Sequence, residues 1–234
     1  MSKKLKVVNI FGGPGTGKST TRAELFALFK KGRHNVEEVT EFAKDLTWEK
    51  NQTAFADQLF LLANQNRRQF RLQDQVEWCV TDSPILLGVN YVTPEYLPYT
   101  FRSLSFELWN TYDNYNFFIE RATEYQSIGR NQTEDEAKQI DRNILEMLHT
   151  FQIPFKTVRG EGDVAKVIYN EIMIDGRNTG ASDLLDRIRA KKKKPTEEDI
   201  NAIIDRGVEK VFKGIGEFKG FLNEIAEELR KHPK

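Results

Sequence analysis

The chain has few of the residues that staple a protein or equip it for metal chemistry. Cys79 is the only cysteine in 234 residues, so an intramolecular disulfide is excluded. It lies in the apolar run Trp78-Cys79-Val80 with no adjacent basic residue, which reads as a small buried hydrophobe and not a nucleophile. The three histidines, His34, His149 and His232, are too scattered to form a ligand set by spacing. Net charge is zero, 35 basic against 35 acidic side chains, which argues against a dedicated nucleic-acid binder while leaving room for a local basic groove. No apolar run approaches the ~20 residues of a membrane span, and Met1-Ser2-Lys3-Lys4 leads into no signal-peptide core. The expectation is a cytoplasmic protein with no membrane partner.

What is present suits one α/β domain with an appendage. Hydrophobic residues make up 39% of the chain, enough for a substantial core. Short apolar runs at Lys6 to Phe11, Asn35 to Val39, Glu77 to Thr81, Tyr115 to Ile119 and Phe155 to Val158 read as buried strands. Helical spacing follows or precedes each, at Lys18 to Lys31, Thr53 to Leu72 and up to Leu148, where Thr133 and Glu136 form a capping-box pattern. Strands alternating with helices imply parallel βαβ units with helices on both faces of the sheet. The composition changes near Gly176, and Lys191 to Pro195 reads as a solvated hinge. From Ile200 to Leu229 apolar residues step by threes and fours along an amphipathic helical segment, with Gly207, Gly214, Gly216 and Gly220 predicting a break. Residues 1–176 are therefore the expected core domain and 177–234 a helical extension.

Gly12-Gly13-Pro14-Gly15-Thr16-Gly17-Lys18-Ser19 fits G-x-x-x-x-G-K-[ST], the Walker A pattern, after a strand and at a helix start. The glycines let backbone N–H groups wrap a phosphate in geometries that side chains block. The first turn of the helix, through Thr20, adds its unpaired N–H groups and the positive end of its dipole. Lys18 would place a positive charge on the β- and γ-phosphates, and the Ser19 hydroxyl would ligate Mg²⁺. ATP with Mg²⁺ is the expected donor.

Other candidates surround this loop. Asp82 ends a buried strand, where open α/β sheets collect ligands, and is a candidate second Mg²⁺ ligand. Before Ser83-Pro84 it would equally serve as a turn or cap residue. Glu41, at the edge after the second strand, would accept a proton from a substrate hydroxyl; a solvated surface glutamate is the alternative. Arg121 and Arg130 flank a glycine-containing segment of few apolar residues, as lid arginines over a triphosphate would. The aromatic stretch from Tyr91 to Tyr115 permits stacking on a ring, although packing in a helical cover is the commoner use.

Phe11 to Ser19, Glu41-Phe42-Ala43-Lys44, Asp82-Ser83-Pro84 and the Arg121…Tyr125…Gly129-Arg130…Asp141 run together resemble a small AAA-type P-loop family common in bacteriophages and related to the nicotinamide-riboside kinase domain. The likeness spans roughly residues 5 to 175. It implies a nucleoside/nucleotide-kinase-like P-loop fold with a five-stranded parallel sheet ordered 2-3-1-4-5, ATP-Mg²⁺ as donor, and catalytic roles for Lys18, Asp82, Glu41, Arg121 and Arg130. Lys44 stands where related kinases often carry arginine. The expected activity is transfer of the γ-phosphoryl group to a hydroxyl or phosphate of a nucleoside- or nucleotide-like acceptor. Two other readings stay open. One is a kinase acting on a DNA hydroxyl, using Arg67, Arg68 and Arg71 with Lys191 to Lys194 as a phosphate track. The other is an ATPase switch whose C-terminal helix binds a partner or a second copy of the chain.

Overall fold

The five apolar runs become β1 (Lys6–Phe11), β2 (Val36–Val39), β3 (Trp78–Thr81), β4 (Asp113–Glu120) and β5 (Lys156–Arg159). The computed structural model describes residues 4–93, 98–122 and 133–177. The strands form one parallel sheet in the order β2-β3-β1-β4-β5, as the family likeness implies.

Alternation along each strand divides the core in two. Val7, Phe11, Cys79 and Phe118 point to one face, while Val8, Ile10, Val80, Phe117 and Ile119 point to the other. The second face is covered by α1 (Lys18–Lys31) and α7 (Val164–Arg177), through Leu25, Phe29, Ala165, Ile168 and Ile172. The first is covered by α4 (Gln58–Phe70), a 3₁₀ helix at Ile85–Tyr91, α5 (Pro98–Asn110) and α6 (Glu134–Thr150). Burial on both faces explains why β1, β3 and the second half of β4 read as apolar runs, while the edge strands β2 and β5 are less covered. Asn9 interrupts the central strand, and its side-chain amide donates to Asn114 and Asn116 of β4 at 2.9 and 3.0 Å, so its burial carries hydrogen bonds.

The single helix expected over Thr53 to Leu72 is instead α3 (Gln52–Ala56) and α4, preceded by α2 (Phe42–Trp48). The break falls at Asp57, whose carboxylate caps α4 by accepting from the Phe60 N–H at 3.0 Å. Aspartate favours that position because it satisfies an N–H that the helix cannot. Thr133 and Glu136 form the reciprocal capping box expected at the start of α6. Cys79 is fully buried, which pushes its thiol pKa up and leaves it inert. The proposed extension, 177–234, lies outside the described residues apart from its first, Arg177, which ends α7.

Candidate active site at the phosphate-binding loop

The chain leaves β1 and turns through the glycine-rich loop before entering α1. Gly17 is the N-cap of α1 with φ +87°, a left-handed conformation that a side chain would strain, and no side chain caps the helix there. The N–H groups of the first turn are thus left to a ligand, at the positive end of the helix dipole. Inside the loop, the Thr16 hydroxyl donates to the Gly13 carbonyl at 3.0 Å, and the Lys18 ammonium donates to the same carbonyl at 2.8 Å.

A cavity of about 390 Å³ opens beside the loop. Gly12, Pro14, Gly15, Gly17, Lys18, Ser19 and Thr20 line one end of it, whereas Gly13 and Thr16 turn away and stabilise the loop from within. Glu41, Phe42, Lys44 and Trp48 contribute from α2 and its N-cap, Phe55 from α3, Gln58, Leu62 and Gln65 from α4, and Tyr91 from the 3₁₀ helix.

Glu41 is the N-cap residue of α2, yet its side chain makes no capping hydrogen bond and instead faces the cavity. Burial raises its pKa above the ordinary 4.5, and the negative charges of Asp82 and Asp45 add to this, against Lys18 and Lys44. Burial lowers the pKa of Lys18, opposed by Glu41, Asp82 and Asp141 and assisted by Arg121. These five ionisable groups feel one another because the fold gathers them around one point.

Asp82 does not line the cavity. It lies behind the loop, 3% exposed, with Oδ1 3.2 Å from Nε of Arg22 but without hydrogen-bond alignment. Arg22 also pairs with Glu38 of β2, so the arginine ties β2 and β3 to α1. Neither a turn nor a cap role is seen for the Asp82 carboxylate; the Ser83 N–H is taken by the Thr81 hydroxyl. A buried carboxylate oxygen with no hydrogen bond has capacity for a cation or its bound water. The Ser19 hydroxyl, which lines the cavity, and the Asp82 carboxylate are each hard oxygen donors of the kind that Mg²⁺ takes, an ion that keeps several waters and takes the rest of its shell from phosphates. Among the described residues no cluster of three or more His, Cys, Asp or Glu is placed to hold a metal.

Arg121 is the first residue after β4, but it is not found reaching over the cavity. Its Nη2 donates to the Pro14 carbonyl at 2.8 Å and its Nε to Asp141 at 2.9 Å, because α6 brings that carboxylate against the loop. Arg130 lies outside the described residues. The aromatic stretch divides. Tyr91 lines the cavity and is 38% exposed. Phe101 is in the core, Tyr112 donates to Asn66 at 3.0 Å, Phe106 packs on Phe151, and Tyr115 packs on Trp78.

Most aromatic lining thus comes from residues that sequence reasoning passed over, Phe42, Trp48 and Phe55. Gln58 and Gln65 were missed as well, although a signal existed. They share with Leu62 the buried face of α4, and polar residues at core positions demand an explanation. Gln65 is 6% exposed; its Oε1 accepts from the Phe42 N–H at 3.0 Å, and its Nε2 has no hydrogen-bond partner.

A comparison with curated proteins finds no match. Among solved structures, deoxyadenosine kinase from M. mycoides with products dCMP and a flexible dCDP is similar at 20% identity and a TM-score of 0.46, covering 74% of this chain and 99% of that one. The same enzyme with bound dATP is similar at 19% identity and a TM-score of 0.44, covering 73% and 99%. Residues 7–166, from β1 through the first turn of α7, match the family described as an AAA domain. With its glycine-rich loop between β1 and α1 and its five-stranded parallel sheet, the chain belongs to that AAA-domain family.

Proposed function

We propose that the protein is an ATP-dependent phosphotransferase that moves the γ-phosphoryl group of ATP to a hydroxyl of a nucleoside- or nucleotide-like small molecule. One observation carries this reading: a single cavity joins the phosphate-binding loop to a partly buried carboxyl, Glu41, lined by aromatic rings and side-chain amides. A carboxyl beside Lys18 serves a water nucleophile as well as an acceptor hydroxyl, but the aromatic and amide walls around it are of use only to an organic acceptor.

In this reading Lys18 releases the Gly13 carbonyl and moves onto the β- and γ-phosphates, where its charge is worth more for being partly desolvated. Mg²⁺, held by Ser19 and through water by Asp82, would neutralise charge on the phosphate oxygens. Glu41 takes the proton of the acceptor hydroxyl as its oxygen bonds to the γ-phosphorus. The bond from the γ-phosphorus to the bridging oxygen breaks and ADP leaves. Phe42, Trp48, Phe55 and Tyr91 suit a planar ring, and the Gln65 Nε2 donor suits a carbonyl or ring nitrogen on its edge. Residues 1–176 would be the catalytic unit.

Of the basic row named for the DNA reading, Arg68 is already engaged within the protein, and Lys191 to Lys194 lie outside the described residues. Arg68 pairs with Asp45, donates to Thr40 at 2.9 Å and lies over the Phe42 ring, so it holds the Glu41 segment in place. The test is incubation with ATP-Mg²⁺ and a panel of nucleosides and nucleotides, with phosphorylated product read by mass. A labelled product is expected from at least one ring-bearing acceptor; ADP release with no phosphorylated acceptor across the panel overturns the assignment.

A further inference from the structure

The phosphate-binding loop is braced from behind by a carboxylate with no assigned role. Asp141 lies on α6, one turn beyond the buried Ala137, one turn before the buried Ile144 and two before Leu148. The capping box at Thr133 fixes where that helix begins, and its apolar face fixes its rotation against the sheet. Asp141 therefore arrives at the loop on a rigid element.

Each of its oxygens serves a different partner. Oδ1 accepts the Gly13 N–H at 2.5 Å, while Oδ2 accepts from Arg121, with Nε and Nη2 both 2.9 Å away. Nη2 of Arg121 also donates to the Pro14 carbonyl at 2.8 Å. Gly13, Asp141, Arg121 and Pro14 thus close a ring that clasps two consecutive loop residues through a backbone donor and a backbone acceptor. Gly13 is a glycine for this reason. A Cβ there would lie 2.5 Å from Asp141 Oδ1 and 2.8 Å from the Ala137 carbonyl, both on α6. The clasp lies on the side of the loop away from the cavity, since Gly13 and Asp141 are not among the cavity-lining residues while Pro14 and Gly15 are.

A loop rich in glycine loses much conformational freedom when it closes on a phosphate, and that loss is taken out of binding. We propose that Asp141 is a positioning residue for nucleotide binding. It holds the Gly13–Pro14 backbone in its phosphate-accepting form before the nucleotide arrives and aligns Arg121 against the loop. Arg121, directly after β4, and Asp141, within α6, are thereby both tied to the loop, so the arginine acts on the donor through the backbone it braces. The inference rests on the loop's being the ATP site and concerns the donor only.

The experiment is calorimetric titration of the full chain with Mg²⁺ and a non-hydrolysable ATP analogue, for the wild type, Asp141→Ala, Asp141→Asn and Arg121→Lys. Asp141→Ala is expected to weaken the analogue tenfold or more. Asp141→Asn, which keeps an oxygen for the Gly13 N–H but loses the ion pair, is expected to fall between it and the wild type. In turnover the KM for ATP rises while the KM for the acceptor stays within twofold. Amide exchange at Gly13 quickens in Asp141→Ala of the ligand-free protein, a signature that general destabilisation would spread over all of α6. If Asp141→Ala does not fold, Asp141→Asn and Arg121→Lys carry the test. A wild type that binds the analogue while the folded variants bind it within twofold overturns this proposal alone. A wild type that does not bind it overturns the reading of the loop as well.

Discussion

The two ends of the cavity are built in opposite ways. At the proposed donor end a short stretch of chain, Gly12 to Thr20, supplies the lining, and its shape is held by hydrogen bonds within and behind the loop: Thr16 and Lys18 on the Gly13 carbonyl, Asp141 on the Gly13 N–H, Arg121 on Pro14. At the proposed acceptor end the lining comes from α2, α3, α4 and the 3₁₀ helix, and it keeps polar capacity in reserve in the Gln65 Nε2 and the Glu41 carboxyl. A triphosphate is the same for every enzyme that uses it, so its cradle can be held in shape while its first-turn N–H groups stay open. An acceptor must be chosen, and unpaired donors in an apolar wall discriminate because they cost energy until the right partner fills them.

This contrast makes mutations separable. The largest effect is expected from Lys18→Ala, which removes the mobile cation from the donor end; turnover should drop about 10³-fold, measured at saturating acceptor. A smaller loss would mean that the loop backbone alone carries the phosphate charge. Glu41→Gln comes next, with kcat/KM reduced about 10²–10³-fold and ATP-analogue affinity little changed. Because burial raises the pKa of Glu41 above 4.5, the acid form persists to higher pH than for an exposed glutamate. The base form is lost as pH falls through that raised value, so the wild-type rate rises with pH along a limb whose midpoint lies above 4.5, and Glu41→Gln abolishes that limb. A limb unmoved by the substitution assigns the titration to another group. The smallest effect is expected from Gln65→Met, which keeps the volume and removes the Nε2 donor. The acceptor KM should rise about tenfold with the KM for ATP unchanged, and a change in both would show that the two ends are coupled through the Phe42 backbone.

The parts of the fold that were legible before the structure share one property, short range. The central strands β1, β3 and β4 announced themselves as apolar runs because the middle of a parallel sheet is covered on both faces, whereas β2 (VEEV) and the largely exposed edge strand β5 (KTVR) carried a weaker signal. The capping box at Thr133 and the loop at Gly12 to Ser19 are patterns within a single turn of chain. The break between α3 and α4 at Asp57 was not seen, since helical spacing runs through it and the capping hydrogen bond competes only weakly with one more helical turn.

Chain distance explains what was missed in the site. Arg121 read as a lid arginine because the sequence places it beside a glycine-containing segment; its partner Asp141 is twenty residues on, and only α6 packing against the sheet brings the two together. Asp82 read as a candidate Mg²⁺ ligand from its place at a strand end, and nothing in the sequence shows that Arg22, from α1, stands beside it. Gln65 is 23 residues from Phe42, the residue whose N–H it accepts. By itself, then, the sequence determined the loop proposed to hold a triphosphate, because the chemistry of such a cradle is written in consecutive residues whose backbone does the binding. Only the tertiary structure decided what braces the cradle and what walls the acceptor end, because those contacts join side chains from separate elements, and packing alone sets which of them meet.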